Sequence, residues 1–433
     1  MKGAGLQTYG ATQAQRLLQL LLLAAAAWAV VYTRFTLGPL QEAMRVDLEL
    51  TDNQMALLNG AAVAVPLAVG AIPAGLIFDR NPRVPLVVLL LATGVAATVL
   101  TAVTDSMLLL ILGRALVGIV AGAVLIAAFS LLADLYEPAQ RGRATMVLLI
   151  GELGGPPAAF ALGGVLLAMG SSSSMFGLEG WRWALLWMSL PVLACVLLMS
   201  ALREPPRTGV VLKNPPLRQV LPELWRYRGV VGTLLVARMM AWVGDGAMMM
   251  WGAPIFERNF SLSAQRTGAI MASALLISGL VGPIVGGPLA DYCQRRGGPR
   301  RTMTVMGISM LLAAPAALFG IAPDAALASA ALTLYLCVGF TGAASGMAVA
   351  TVAIPGEVRA VFIAATFALG SLLSFGLAPL LVSSLSTALG GTSMVGHAVA
   401  MVSGVTTLIG GIVIGVGRKY FAAGTEQGLR RFA

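Results

Sequence analysis

The sequence is poor in the side chains on which most catalytic and metal chemistry depends. There is one histidine, His397, in 433 residues, which argues against a histidine-based metal site or a catalytic triad. The three cysteines are an odd number and none forms a CxxC: Cys195 and Cys337 lie in apolar runs and Cys293 in a basic loop. Neither a disulfide framework nor a metal centre is indicated. No GxxxxGK[ST] phosphate loop is present, so nothing points to ATP hydrolysis or to any other cofactor. Charge is the scarcest commodity, at 11% of residues, against about 25% in a soluble domain. The formal net charge of +10 could suggest nucleic acid, but the basic residues sit between apolar runs rather than on one face, which excludes that partner.

What fills the space is apolar: 58% of residues are hydrophobic and the mean hydropathy is +0.88. A chain of this length cannot hide that much apolar surface in water, so the excess faces lipid. With about 20 apolar residues needed per crossing, the pattern predicts an all-α membrane protein with twelve transmembrane helices. They fall near 17–39, 54–78, 84–104, 107–133, 144–169, 183–202, 229–256, 266–290, 302–321, 326–354, 360–382 and 395–417. The first run follows Arg16 and has the composition of a signal peptide, but its apolar pattern continues to about Leu40, as an uncleaved first span would.

Twelve is even, so both termini lie on one side. Outside the spans, only Arg45, Arg182, Arg258 and Arg266 fall on the opposite side. The bias predicts cytoplasmic termini, in an inner or plasma membrane. A proline-rich, basic stretch at 203–228 reads as a cytoplasmic linker between an N-terminal six-helix bundle (1–202) and a C-terminal one (229–433). Loop motifs repeat in register. Gly75-Leu-Ile-Phe-Asp79-Arg80 ends the second span and Gly287-Pro-Leu-Ala-Asp291 the eighth; EPAQRGR (137–143) follows the fourth span and PGEVR (355–359) the tenth. Two pseudo-symmetric halves around a midplane site are a recurring transporter plan.

These motifs resemble the major facilitator superfamily over nearly the whole chain. GLIFDRNPR (75–83) approximates its loop signature, GGPLAD (286–291) the C-terminal copy, Arg114-xxx-Gly118-xxx-Gly122 its fourth-helix pattern, and GWRWAL (180–185) its usual entry to the sixth helix. LTDNQMALLNG (50–60), LREPPR (202–207) and WGAPIFERNFSLS (251–263) look like the spinster-type lysolipid and sphingolipid transporters. Where that subfamily carries an Asp-Arg pair and a fourth-helix glutamate, this chain has Thr33-Arg34 and Ala121. The resemblance implies the major facilitator fold and alternating access. It also implies that Gly75, Asp79, Arg80, Arg141, Arg143, Asp291 and Arg359 belong to a cytoplasmic gate, its aspartates pairing with the arginines; a static loop anchor is the alternative.

Five charges fall well inside spans: Arg34, Arg114, Glu152, Arg238 and Asp245. Each costs about 2.5–3.5 kcal/mol at a span centre, so such residues face a bundle interior or a watery cavity. Arg34, near its helix end, could instead snorkel, and any of the five could form a static pair. Arg34, Arg114 and Arg238, with Trp242 and Trp251 on a methionine-rich seventh helix, are the candidate substrate-binding residues. Glu152 and Asp245 are the in-span acids able to carry protons as a coupling ion. Three arginines against two acids lean towards an organic anion or amphipathic, lipid-like solute, carried by a monomer. A multidrug or metabolite/proton antiporter, to which the Gly151-xxx-Gly155-Pro156 element partly corresponds, is the alternative within transport; a membrane-embedded lipid-modifying enzyme is the alternative outside it.

Overall fold

The computed structural model describes residues 13–171, 179–205, 222 and 225–421. All regular structure among them is helical. In hydrocarbon every backbone donor and acceptor needs an internal partner, and a run of apolar residues meets that demand only as helix. α1 (Gln13–Phe35) leads through a short turn into α2 (Gln41–Asp47). A capping box then starts the next rod: Thr51 Oγ1 accepts from the Gln54 amide at 3.2 Å while Gln54 Oε1 accepts from the Thr51 amide at 2.8 Å. That rod is α3 (Asp52–Ala56), a π turn (Leu57–Ala61) and α4 (Ala62–Arg80) in succession. α5 (Arg83–Val103), α6 (Met107–Leu135), α7 (Pro138–Ser171) and α8 (Gly180–Ser200) follow.

The second part of the chain comprises α9 (Arg228–Arg258), α10 (Ala264–Ala316), α11 (Ala325–Ala353), α12 (Gly356–Ser371), a second π turn (Leu372–Leu377), α13 (Ala378–Leu389) and α14 (Val395–Gly417). Among the described residues, 11 helical segments are long and apolar enough to cross a membrane, one of them the 58-residue stretch Ala264–Ile321. That stretch is no straight rod. Gly298 sits at φ 62°, a left-handed value that costs glycine least, and Thr302 Oγ1 donates to Gln294 Oε1 at 3.1 Å. Eight residues of straight helix would separate those two by about 12 Å. The chain therefore doubles back at Gly297–Gly298, and α10 is two antiparallel limbs.

The buried apolar side chains gather in three clusters. One is drawn from residues 20–202 and one from 230–421; the third joins residues 247–399 to Ala56 and Phe160. α1 is buried within the first cluster and packs along α7, so it is an integral part of the bundle. Glycine sets how closely rods approach. A side chain at Gly118 would collide with Val63 O, so the glycine lets α6 pack closely against α4. Loops 36–51, 104–106, 259–263, 322–324 and 390–394 lie at one end, here the far face. Turns 81–82, 136–137, 201–205, 297–298 and 354–355 lie at the other, the near face.

Candidate functional site

The in-span charges lie deep between helices. Arg114, on α6, is 2% exposed and donates Nη2 to Arg34 O at 2.8 Å and Nε to Leu58 O at 3.3 Å. Its acceptors are the last turn of α1 and the π turn, two places where helical carbonyls lack their usual amide partner. Arg34 itself turns the other way. Its guanidinium stacks 3.7 Å from the centroid of Phe375, on the second π turn, and its buried Nη2 has no hydrogen-bond partner among the described residues. Glu152 on α7 is within electrostatic reach of Arg34 but closes no hydrogen bond with it. Arg34 therefore faces Phe375 with Glu152 within electrostatic range, while Arg114 ties α6 to α1 and the π turn.

On α9, the Arg238 guanidinium lies 5.8 Å from the Trp242 ring, which meets Phe367 edge-on at 5.8 Å. The Trp242 indole N–H is buried without an acceptor. Asp245 feels Arg238 electrostatically but makes no ion pair with it; seven residues of helix separate the two by about 10 Å along the axis. Trp251 differs from its α9 neighbours. It is 0% exposed and donates Nε1 to Pro379 O at 3.2 Å, so it packs α9 against α13. Met248 is likewise fully buried, whereas Met249 and Met250 are half-buried.

The far face carries a cluster that the charge pattern did not single out. Arg258, at the end of α9, forks onto both oxygens of Asp52 at 2.9 and 2.8 Å and donates Nε to Glu42 at 2.7 Å. Arg45 holds the other Glu42 oxygen at 2.7 Å. Glu42 and Asp52 come from the first part of the chain and Arg258 from the second, so the cluster clamps the two together. Backbone contacts close the same seam. Gly164 on α7 faces Gly268 on α10, where a methyl on Gly164 would sit 3.1 Å from the Gly268 Cα, and a side chain at Gly60 would strike Phe375 O. The signal was available in part: Glu42 and Arg45 are spaced for pairing on one helix face. Their partner, more than two hundred residues away, was not.

The comparisons with known proteins bear on the whole fold. Residues 23–372 match the model of the Major Facilitator Superfamily. The chain belongs to that superfamily. It is thus a multi-pass integral membrane transporter and not an enzyme. Two structures of a bacterial homologue of the human lysosomal transporter Spinster, both inward-facing, one unoccupied and one occupied, match with TM-scores of 0.76 and 0.77. Each is 21% identical, over 95% of this chain and 97% of that one. A nucleoside transporter matches with a TM-score of 0.73 at 12% identity, over 93% of this chain and 99% of that chain. A D-xylose–proton symporter matches at 0.68 and 14%, over 92% and 96%. The inner membrane transport protein YajR of Escherichia coli (strain K12) is 38% identical over 104 residues, which span only 22% of each protein.

In this major facilitator the repeated near-face loops do the same work twice. Arg141 donates to Ala133 O at 2.7 Å and Tyr136 O at 3.0 Å; Arg359 donates twice to Ile354 O, at 3.1 and 3.0 Å. Each arginine caps the carbonyls at the end of the preceding helix, α6 or α11, where the helix dipole is negative. These two guanidiniums thus go to carbonyls rather than to the aspartates expected as their partners. Arg80, Arg143 and Asp291 are exposed, and Gly75 faces open space. Arg83, the last residue of the loop signature, is the buried one: it donates to Asp134 Oδ2 at 2.5 Å, Ser130 at 3.0 Å and Glu204 at 3.1 Å. Glu204 also accepts the Val84 amide at 2.7 Å, which anchors the turn after α8 on the first turn of α5.

Proposed function

We propose that this chain is a secondary active transporter that moves an organic anion or an amphipathic, lipid-like molecule by alternating access, with protons as its coupling ion. In this reading twelve helices form two six-helix halves, 1–202 and 229–433, joined by the linker at 203–228. The near face, with both termini, is cytoplasmic and the far face external. The single observation that carries it is the clamp of Arg258 on Glu42 and Asp52: one end of the seam between the halves is tied shut by charges from both. A carrier needs such a tie in one state and must break it in the other. The fold described here then corresponds to the state open towards the cytoplasm.

Substrate chemistry follows from what the closed end leaves on its inner side. Arg34 offers an unpartnered Nη2 beside the face of Phe375, and Arg238 lies near Trp242. A cation flanked by aromatic rings suits an anionic head carrying an apolar body. Arg114 completes the site by holding the Arg34 backbone, and Glu152 and Asp245 are the candidate proton carriers. Asp79, Arg80, Arg141, Arg143, Asp291 and Arg359, with Gly75, mark the cytoplasmic end that closes in the opposite state.

The test is a proteoliposome screen of lysolipids, organic anions and cationic drugs, with and without an imposed proton gradient. Saturable counterflow of an anionic or amphipathic solute, accelerated by the gradient, is the expected result. Transport confined to cationic drugs would overturn the substrate assignment, and flux without counterflow would overturn the carrier mechanism.

A further inference from the structure

Inside the second half of the chain lies a small cavity of about 20 Å³ that contributes nothing to the seam between halves. Its walls are α9 (Arg238, Asp245), the second limb of α10 (Ser309), α11 (Tyr335) and α14 (Thr407). Among the described residues, none before Arg238 lines it. The hydroxyl of Tyr335, whose side chain is 1% exposed, points at no acceptor or donor. Asp245, a carboxyl in the same cavity, makes no hydrogen bond either, although it senses both Arg238 and Tyr335 electrostatically. The Tyr335 hydroxyl, buried without a partner, carries a desolvation cost that a water in the cavity would relieve. One water needs roughly 10–15 Å³ of such space and two to four polar partners. Both requirements are met here.

We infer that this cavity is a sequestered proton site, in which one ordered water links Asp245 to the Tyr335 hydroxyl beside Arg238. The inference deepens the proton-coupled reading above and gives it a sign. With Asp245 ionised, its charge compensates Arg238 and the pair is neutral. When a proton from bulk water binds a carboxylate oxygen, Asp245 becomes a neutral acid that donates to the water. Tyr335 keeps its own proton throughout. The positive charge of Arg238 is then uncompensated, at a position within 6 Å of Trp242, so an anion binds more tightly. Proton and anion therefore load together, and the coupling is symport. Among the residues lining the cavity, Arg238 and Tyr335 are the only other titratable groups, since the limb of α10 and α14 present methionine, alanine, serine and threonine.

Infrared difference spectroscopy of the purified full chain in lipid nanodiscs, titrated with acid, reads the proton directly. A carbonyl band of a protonated carboxyl should appear on acidification, vanish in Asp245→Asn, persist in Glu152→Gln and shift in frequency and midpoint in Tyr335→Phe. Iodide quenching of Trp242, taken as the difference between wild type and Trp242→Phe, should rise severalfold on acidification relative to quenching by neutral acrylamide. That rise should be absent from Asp245→Asn. A band indifferent to Tyr335→Phe, or one that belongs to Glu152, overturns the site. Should Asp245→Asn fail to fold, Tyr335→Phe still decides, because it removes only a hydroxyl. A titrating Asp245 band without gradient-driven uptake in proteoliposomes would leave the site standing and sink the transport reading; the opposite pair of results would do the reverse.

Discussion

At the scale of single residues, the two arginines of the first half have opposite jobs, and magnitudes separate them. Placing a guanidinium in a span costs about 2.5–3.5 kcal/mol, and a hydrogen bond to a charged group returns about 1.5–3 kcal/mol. Arg114 makes two such bonds to carbonyls, so its charge is compensated by the scaffold. Arg34 has a stacked ring and an empty donor, so its charge is still available to a ligand. Arg114→Ala is expected to lower the melting temperature of the detergent-solubilised protein by several degrees and to abolish transport. Arg34→Ala is expected to lower melting less than Arg114→Ala does, since it removes a buried donor without a hydrogen-bond partner and gives up only a ring contact, while transport is lost. Equal destabilisation by both would mean that Arg34 is also scaffold. The sequence made both arginines visible, because a charge inside an apolar run stands out. It could not tell them apart, because Arg114 is held by backbone carbonyls, which leave no mark in the identity of the residues that carry them.

At the scale of elements, the seam is closed by a few contacts at one end, and each can be loosened alone. Asp52 and Glu42 are 5% and 16% exposed at their side chains, so the Arg258 pairing is largely withdrawn from water. Removing one partner of a buried pair costs about 3–5 kcal/mol, and each 1.4 kcal/mol is tenfold in a two-state equilibrium. Arg258→Ala should therefore shift the protein at least a hundredfold towards the state with this end open. The shift would be read as faster maleimide labelling of a cysteine placed at Phe35, which meets Phe375 edge-on across the seam; unchanged labelling would show that the clamp does not hold the gate. A disulfide between Glu42→Cys and Arg258→Cys should stop transport until it is reduced. Gly164→Val should act in the same direction as Arg258→Ala by a different route, since its side chain would meet Gly268 and the carbonyl of Ala264. The helices themselves were legible from apolar run length. The π turns at Leu57–Ala61 and Leu372–Leu377 were not, because a lone glycine such as Gly60 or Gly376 within an apolar run does not by itself announce a π turn. The close approach of Gly60 to Phe375 is a contact between distant parts of the chain.

At the scale of the whole molecule, what remains is which way the fold sits in its membrane and how often the chain crosses it, and one experiment addresses both. The basic-residue bias predicts that the near face lies inside. The reversal at Gly297–Gly298 splits the longest apolar segment, so the loop at 322–324 returns to the far face instead of leaving the membrane opposite it. With the three native cysteines replaced, single cysteines at Glu49, Arg295 and Ala326 sample the far face, the reversal and the following loop, all at exposed positions. A membrane-impermeant maleimide applied to intact cells should label the Glu49 and Ala326 positions, and the Arg295 position only after permeabilisation. Labelling of Glu49 without Ala326 would mean that the long segment crosses once and the total is eleven. Labelling of Arg295 alone would invert the whole molecule, turn the Arg258 clamp into a cytoplasmic gate, and make the state described here one that opens outward. The direction assigned to proton and anion depends on that same result, since a site loaded from the open face takes its proton from whichever compartment the near face meets.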